Sequence, residues 1–404
     1  MFKRSVTLAA AALLTAAVGV GTAWADGGPD GGADGPAHGG PNAAFTVAVY
    51  GDAPYGTKPT DTSEFAATPA FIDSVNADPD VSTVIHVGDI HSGKQYCTEA
   101  YDRSIYDLWT RFADPLVYTP GDNEWTDCHK AGEGGGTYNA TTGQIDYVTD
   151  PATGLPRDYA QGDPVANRRL VRSIFFAHPG QTLGGGDLRV LSQAQVADPA
   201  HPADAQFVEN VMWQRNRTLF VTLDVPGGSN DDADPWYGAP AESARQQQER
   251  QQREAADLRW LDLAFLAAHR SNVTSVVLVT QADTWDLDGK SAAHLSNYEP
   301  LIAAIADHTT AFGRPVLLLN GDSHVYRSDN PLQAGSACDG EPGVCDDDAW
   351  TSHPYYDVPN FHRIVVHGST FPLEWLKLRI DPKVDAPASA TAFGPFSWTR
   401  QTQG

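Results

Sequence analysis

The chain reads as an α/β fold with two stacked sheets and helices outside them. Short apolar, β-branched runs recur, each closed by Gly-Asp: FTVAVY before Gly51-Asp52, VSTVIHV before Gly88-Asp89, PLVYTP before Gly121-Asp122 and PVLLLN before Gly321-Asp322. Continuous runs of this kind suit strands covered on both faces. Stretches with helical spacing lie between them, and strands alternating with helices indicate layered α/β architecture. Later in the chain, apolar runs in close succession break the alternation and predict a second sheet.

Taken in order, Lys3 and Arg4 precede the small apolar run Val6–Val20, and Ala23-Trp24-Ala25 offers small residues at both cleavage positions. This predicts a secretory signal peptide over 1–25 and a secreted protein. The run is shorter than the ~20 residues of a membrane span, so no transmembrane anchor is expected after cleavage. Residues 26–44, rich in Gly, Pro and Asp, read as a disordered linker. One domain is expected over 45–382. Helices are predicted over Thr68–Ala77, Tyr101–Phe112, Asn167–Ala177, Ala241–His269 and Pro300–Thr309. In the longest, ESARQQQERQQREAAD is polar all round and is expected to project into solvent or edge the site, whereas LRWLDLAFLAAH should pack on the sheet. A fifth strand, VTSVVLVT (273–280), leads into Gln281-Ala282-Asp283. AQFVENVMW (205–213) with RTLFVTLDV (217–225), and RIVVHG (363–368) with LEWLKLRI (373–380), predict antiparallel pairs in a mostly antiparallel second sheet. Residues 129–166 read as a long surface loop near the site, and 383–404 as a loosely ordered tail.

The 404 residues include 27 Lys+Arg against 51 Asp+Glu, a net charge of −24. That balance excludes a nucleic-acid-coating role, which requires clustered positive charge. It leaves room for an enzyme that holds one phosphate through metal ions. Four cysteines in an exported chain predict two disulfides: Cys338 and Cys345 bracket a short loop, and Cys97 and Cys128 then form the other.

Ligand sites in α/β sheets lie beyond the carboxyl ends of the strands. Four strands deliver an Asp there: Asp52, Asp89, Asp122 and Asp322. Converging carboxylates repel strongly, and divalent metal resolves the conflict. Oxygen ligands suit Mg, Mn or Ca, while His324 or His91 tilts the preference toward Mn, Fe or Zn.

The order Gly-Asp, Gly-Asp-x-His, Gly-Asp-Asn-Glu and Gly-Asp-Ser-His resembles the calcineurin-like metallophosphoesterase superfamily, over Phe45 to about Asp381. The resemblance implies a four-layer αββα sandwich of two mixed sheets flanked by helices, with one or two divalent metal ions at its edge. It implies metal ligation by Asp52, by Asp89 as the bridging carboxylate, by Asp122 and by His324. Asp322 and Gln281 stand at or beside further ligand positions. The family's first His is Pro54 here, with Tyr55 beside it, and its catalytic His is Asn123, followed by Glu124. The implied activity is hydrolysis of a small phosphorylated substrate by a metal-activated hydroxide. His91 and Asn123 are expected to contact phosphate and His129 to protonate the leaving group. Tyr55, Glu124 and Asp283 are expected to touch substrate. Loss of the family's histidines also admits a weakly active or non-catalytic relative that binds metal or a phosphorylated ligand.

Overall fold

The computed structural model describes residues 40, 42–196, 198–231, 234–286 and 292–402. The predicted signal peptide and most of the linker lie outside the described residues. The chain begins with β1 (Phe45–Tyr50), α1 (Ser63–Asn76), β2 (Val81–His86), α2 (Glu99–Trp109) and β3 (Pro115–Tyr118). A hairpin of β4 (Gly136–Asn139) and β5 (Gln144–Tyr147), then α3 (Pro164–Phe175), β6 (Leu183–Gly184) and β7 (Leu191–Ser192) follow. Next come β8 (Val211–Arg215), β9 (Thr218–Thr222), α4 (Ala244–Arg270), β10 (Ser275–Val279), α5 (Glu299–Phe312) and β11 (Val316–Asn320). The remaining strands are β12 (Arg327–Asp329), β13 (Asp339–Gly340), β14 (Phe361–Val365), β15 (Glu374–Ile380), β16 (Ala386–Ser389), β17 (Ala392–Gly394) and β18 (Phe396–Thr402).

Among the described residues these form two large mixed sheets, ordered β16-β17-β18-β15-β1-β2-β3-β6 and β13-β12-β14-β11-β10-β9-β8-β7. Parallel pairing joins β1, β2 and β3 in one, and β9, β10, β11 and β14 in the other. Side-chain alternation builds the layers. Val47, Val49, Val277, Val279, Leu317 and Leu319 fill the space between the sheets. Ala48 and Tyr50 face α1 and α2 instead, while Val276, Leu278, Val316 and Leu318 face α4 and α5. The result is an αββα sandwich. Both faces of every central strand are buried, which is why these runs lack polar alternation.

Several expectations are corrected. The second sheet is parallel at its centre, and antiparallel pairing is confined to its flanks. Strands β8 and β9 pair as expected. RIVVHG and LEWLKLRI do not: β14 lies beside β11, and β15 lies beside β1. The eight residues between them reach up to about 26 Å, ample to cross the ~10 Å between sheets. Residues 129–166 carry the β4–β5 hairpin rather than a plain loop.

The polar half of α4 turns one face to solvent, at Gln247, Gln248, Gln251 and Gln252, and buries the other. Glu249, Arg253 and Gln246 are buried there. Arg168 Nη1 donates to Glu249 Oε1 at 2.6 Å and Arg253 Nε to the same oxygen at 3.0 Å. Arg172 pairs with Glu209 alongside. The buried face of this polar stretch thus carries an ion network, which Arg168 and Arg172 of α3 join.

The supposed tail completes the first sheet: β18 pairs with β15 along its whole length. Phe393, Phe396 and Trp398 insert between the sheets. Trp398→Ala should therefore cost about 3–5 kcal/mol in urea unfolding, and a loss below about 1 kcal/mol would remove this strand from the core.

Candidate metal centre

The carboxyl ends of β1, β2, β3 and β11 bring Asp52, Asp89, Asp122 and Asp322 to one rim. Asp52, Asp89, Asp322 and His324 have φ of 49°, 63°, 75° and 61°. This is the left-handed region, which costs a non-glycine residue on the order of 1 kcal/mol. Strain at four residues of one rim marks it as a site where conformation serves function. The glycine of the third corner has a separate reason: a Cβ on Gly121 would lie 2.0 Å from Asp89 Oδ1.

One oxygen or nitrogen from each of Asp52, Asp89 and His324 lies within 4.8 Å of the others. His324 Nε2 is 3.5 Å from Asp52 Oδ1 and 3.3 Å from the Tyr55 hydroxyl. That hydroxyl donates to Asp89 Oδ2 at 2.6 Å. Donors bound to one ion at about 2.1 Å, 90–110° apart, are separated by about 3.0–3.4 Å. The two His324 separations lie close to that range, and small side-chain shifts would bring the set around a single cation. The charges agree. Burial first, then the neighbouring carboxylates, push the Asp52 and Asp89 carboxyls well above the usual range. Asp122 is raised by burial too. Among the described residues no lysine or arginine pairs with any of these three, and Asp52 Oδ2 is buried without a hydrogen-bond partner. The donor set of carboxylates, phenol and imidazole suits Mn, Fe or Zn.

On the far side of Asp89, Gln281 Nε2 donates to Asp89 Oδ2 at 3.3 Å and to Asp122 Oδ1 at 3.0 Å. Its Oε1 accepts the Gly227 N–H at 2.6 Å. Gln281 was expected as a ligand, yet it turns its NH₂ and not its oxygen toward the carboxylates. Asn123 Nδ2 donates to Asp89 Oδ2 and to the Tyr55 hydroxyl at 2.9 and 2.8 Å. A Cβ on Gly227 would meet Asp122 Oδ2 at 2.6 Å and Asp322 Oδ1 at 2.7 Å. Glycine is thus the residue that lets this segment approach.

A cavity of about 530 Å³ opens beside this rim, lined by Tyr55, Glu64, Asp89, Lys94, Asn123 and His324, with Asp122 and Asp322. Six expected site residues do not line it: Asp52 and Gln281, both fully buried behind the rim, and Glu124, Asp283, His91 and His129. Glu124 accepts the N–H groups of Gly121 and Asp89, at 2.6 and 3.2 Å, and braces two corners from beneath. Asp283 pairs with Arg363 and donates its N–H to Asp322 Oδ2 at 3.1 Å. His91 is fully buried with its ring edge-on to Tyr101. His129 is buried, and its Nδ1 accepts the Tyr237 N–H at 2.9 Å. In the neutral ring Nε2 therefore keeps its proton. Asp127, His129 and Asp234 form a second cluster, but the Lys130 ammonium already bridges Asp127 and Asp234 at 2.6 and 2.8 Å. With the His129 Nδ1 lone pair taken by the Tyr237 N–H and both carboxylates paired with Lys130, that cluster has no free ligand set for a metal. Glu64 and Lys94 were missed by sequence reading, since neither carries a spacing signal.

Both disulfides form as expected, Cys97–Cys128 and Cys338–Cys345. His86 is a core residue, packed between Tyr50, Trp109 and Tyr118. Trp125 and Trp285 are core residues, stacked beneath Arg168 and Arg363.

No protein-family model and no curated protein matches the chain. Among solved structures it is similar to the purple acid phosphatase PPD1 from yellow lupin (Lupinus luteus) seeds, at 11% sequence identity and a TM-score of 0.37. The alignment covers 84% of this chain and 49% of that one, about half the neighbour's length.

Two predictions follow from this geometry. Burial lowers His86 and His91 to about 4, against about 6.5 in an unfolded chain. The folded state holds them neutral, so their stabilising contribution is complete above about pH 6.5 and is lost as pH falls toward 4. The raised buried carboxyls act in the opposite direction but are common to the wild type and His86→Asn. Across that window the urea midpoint of the wild type should therefore fall relative to that of the variant, and parallel profiles would remove His86 from the balance. The Cys97–Cys128 bridge ties the segment after His91 to the turn that follows Asp122. A Cys97→Ser/Cys128→Ser variant should weaken metal affinity about tenfold, and unchanged affinity by calorimetry would dissociate the bridge from the site.

Proposed function

We propose that this protein is an exported metal-dependent hydrolase of small phosphate mono- or diesters. The observation that supports it is the set Asp52, Asp89, His324 and Tyr55, gathered closely enough to share one cation, with Asp89, His324 and Tyr55 lining the adjoining cavity and Asp52 buried behind them. A divalent ion there supplies Lewis-acid polarisation of a phosphate oxygen and lowers the pKa of a bound water. The side chains supply the rest. Asp52, Asp89 and His324 hold the cation. Asn123 fixes the Asp89 carboxylate and the Tyr55 hydroxyl in relative orientation through its two contacts. Lys94 lines the cavity with its ammonium unpaired among the described residues, and it offsets the charge of the phosphate. Buried His129 cannot reach a leaving group. Glu64 lines the cavity, and burial raises its carboxyl to about 7. A carboxyl held near neutrality suits proton donation to a departing alkoxide.

Export is supported by the charged and apolar start of the chain and by two disulfides. No helix among the described residues is long and apolar enough to cross a membrane. The burial of His91 and His129 favours a second reading, a non-catalytic binder of metal or of a phosphorylated ligand. Assays on aryl mono- and diesters with Mn, Mg, Ca and Zn separate the two, since the binder retains metal without turnover. For the hydrolase, chelation should abolish activity and readdition of metal should restore it. Asp89→Asn should lower kcat about a hundredfold or more, and full activity in that variant would refute the assignment.

A further inference from the structure

We propose that the centre holds a single metal ion, at Asp52, Asp89 and His324, and that the Gln281 side-chain amide stands where a second ion between Asp89 and Asp122 would otherwise bind. The inference rests on the metal-centre reading above and concerns what Gln281 does to it.

The orientation of the amide is fixed by chemistry. The Gly227 N–H can only donate, and it lies 2.6 Å from Gln281 Oε1. With the oxygen committed there, Nε2 must face Asp89 Oδ2 and Asp122 Oδ1, at 3.3 and 3.0 Å. Reversing the amide would set NH₂ against a backbone N–H and a carbonyl oxygen against two carboxylates. All three contacts would become repulsive.

Nor can the side chain swing away. Gln281 is fully buried. Its stem is walled by two glycines whose positions would not admit a Cβ. One on Gly88 would meet Gln281 Cβ and Cγ at 2.6 Å, and one on Gly121 would meet Cγ at 2.8 Å. The two N–H bonds of the amide therefore span the two carboxylates, as a bridging cation would, without offering a ligand atom. Among the described residues the Asp127–His129–Asp234 cluster provides no alternative second site, because Lys130 occupies it.

The test uses the full mature chain, stripped by chelation and reloaded with Mn(II). Plasma emission analysis after gel filtration should give one ion per chain. Electron paramagnetic resonance should show an isolated Mn(II) and not an exchange-coupled pair. Two ions per chain, or a coupled spectrum, would overturn the proposal, whereas no bound ion would instead overturn the metal-centre reading itself. Gln281→Glu keeps the shape and the acceptor for Gly227 while replacing NH₂ with a ligating oxygen. It should raise the stoichiometry from one to two. A Gln281→Glu protein with native circular dichroism that still binds one ion would show that Gln281 is not what excludes the second.

Discussion

The rim works only if its buried negative charge is neutralised. Asp52 and Asp89 present oxygens within 4.8 Å of each other. At an effective dielectric of about 20, two such charges repel by about 3.5 kcal/mol, before burial adds its own penalty. Protons can relieve this in part, and burial with mutual repulsion raises both carboxyls in that direction. A cation relieves it better, because it attracts both carboxylates and the neutral donors His324 and Tyr55 at once. The arrangement makes sense as a receptor for positive charge.

The scaffold spends conformational strain to achieve that arrangement. Each Gly-Asp corner ends a buried strand, and three of the four turn their Asp back toward its neighbours at positive φ: Asp52, Asp89 and Asp322. The corners then lock one another. Asp52 accepts the Asp322 N–H at 2.9 Å, and Glu124 gathers the N–H groups of Asp89 and Gly121. Strand pairing continues past the formal strand ends, with the Asp52 N–H donating to the Gly88 carbonyl at 2.9 Å. The carboxylates Asp52 and Asp89 follow directly on strand ends, and Tyr55 and His324 stand on the short segments that continue from β1 and β11.

What the sequence made legible follows from what local pattern encodes. Strands such as Val316–Asn320 and the Asp that follows Gly321 were readable, because burial on both faces leaves a continuous apolar run and Gly-Asp marks its end. The partners of β14 and β15 were not, since their apolar patterns fit either sheet and only distant edges decide between them. The tail was misread because it opens within DPKVDAPASA, rich in Pro, Ala and Asp, and the alternation that marks a strand spans only Phe396–Trp398. At the site, residue type was readable but orientation was not. His91 and His129 have suitable chemistry, yet the chain buries both away from the cavity. Glu124 looked like a substrate contact and proves to be a brace, because only the fold shows which N–H groups its carboxylate meets.

The buried ion network and the metal rim are parts of one construction. Arg253, held by Glu249, donates Nη1 to the Asp224 carbonyl at 3.2 Å and Nη2 to the Asn230 carbonyl at 3.1 Å. Between those anchors, Gly228, Ser229 and Asn230 adopt three successive left-handed conformations, at φ of 62°, 63° and 59°. Such a run does not persist on local preference. Ser229 is also tied by Asn297 Nδ2 at 2.8 Å, and the Tyr298 hydroxyl donates to the Pro226 carbonyl at 3.2 Å. The strained turn sets Gly227 against Asp122 and Asp322 and aims its N–H at Gln281. The polar half of α4, which reads as a solvated helix, thus controls through one arginine and one glycine which way an amide points at the carboxylates.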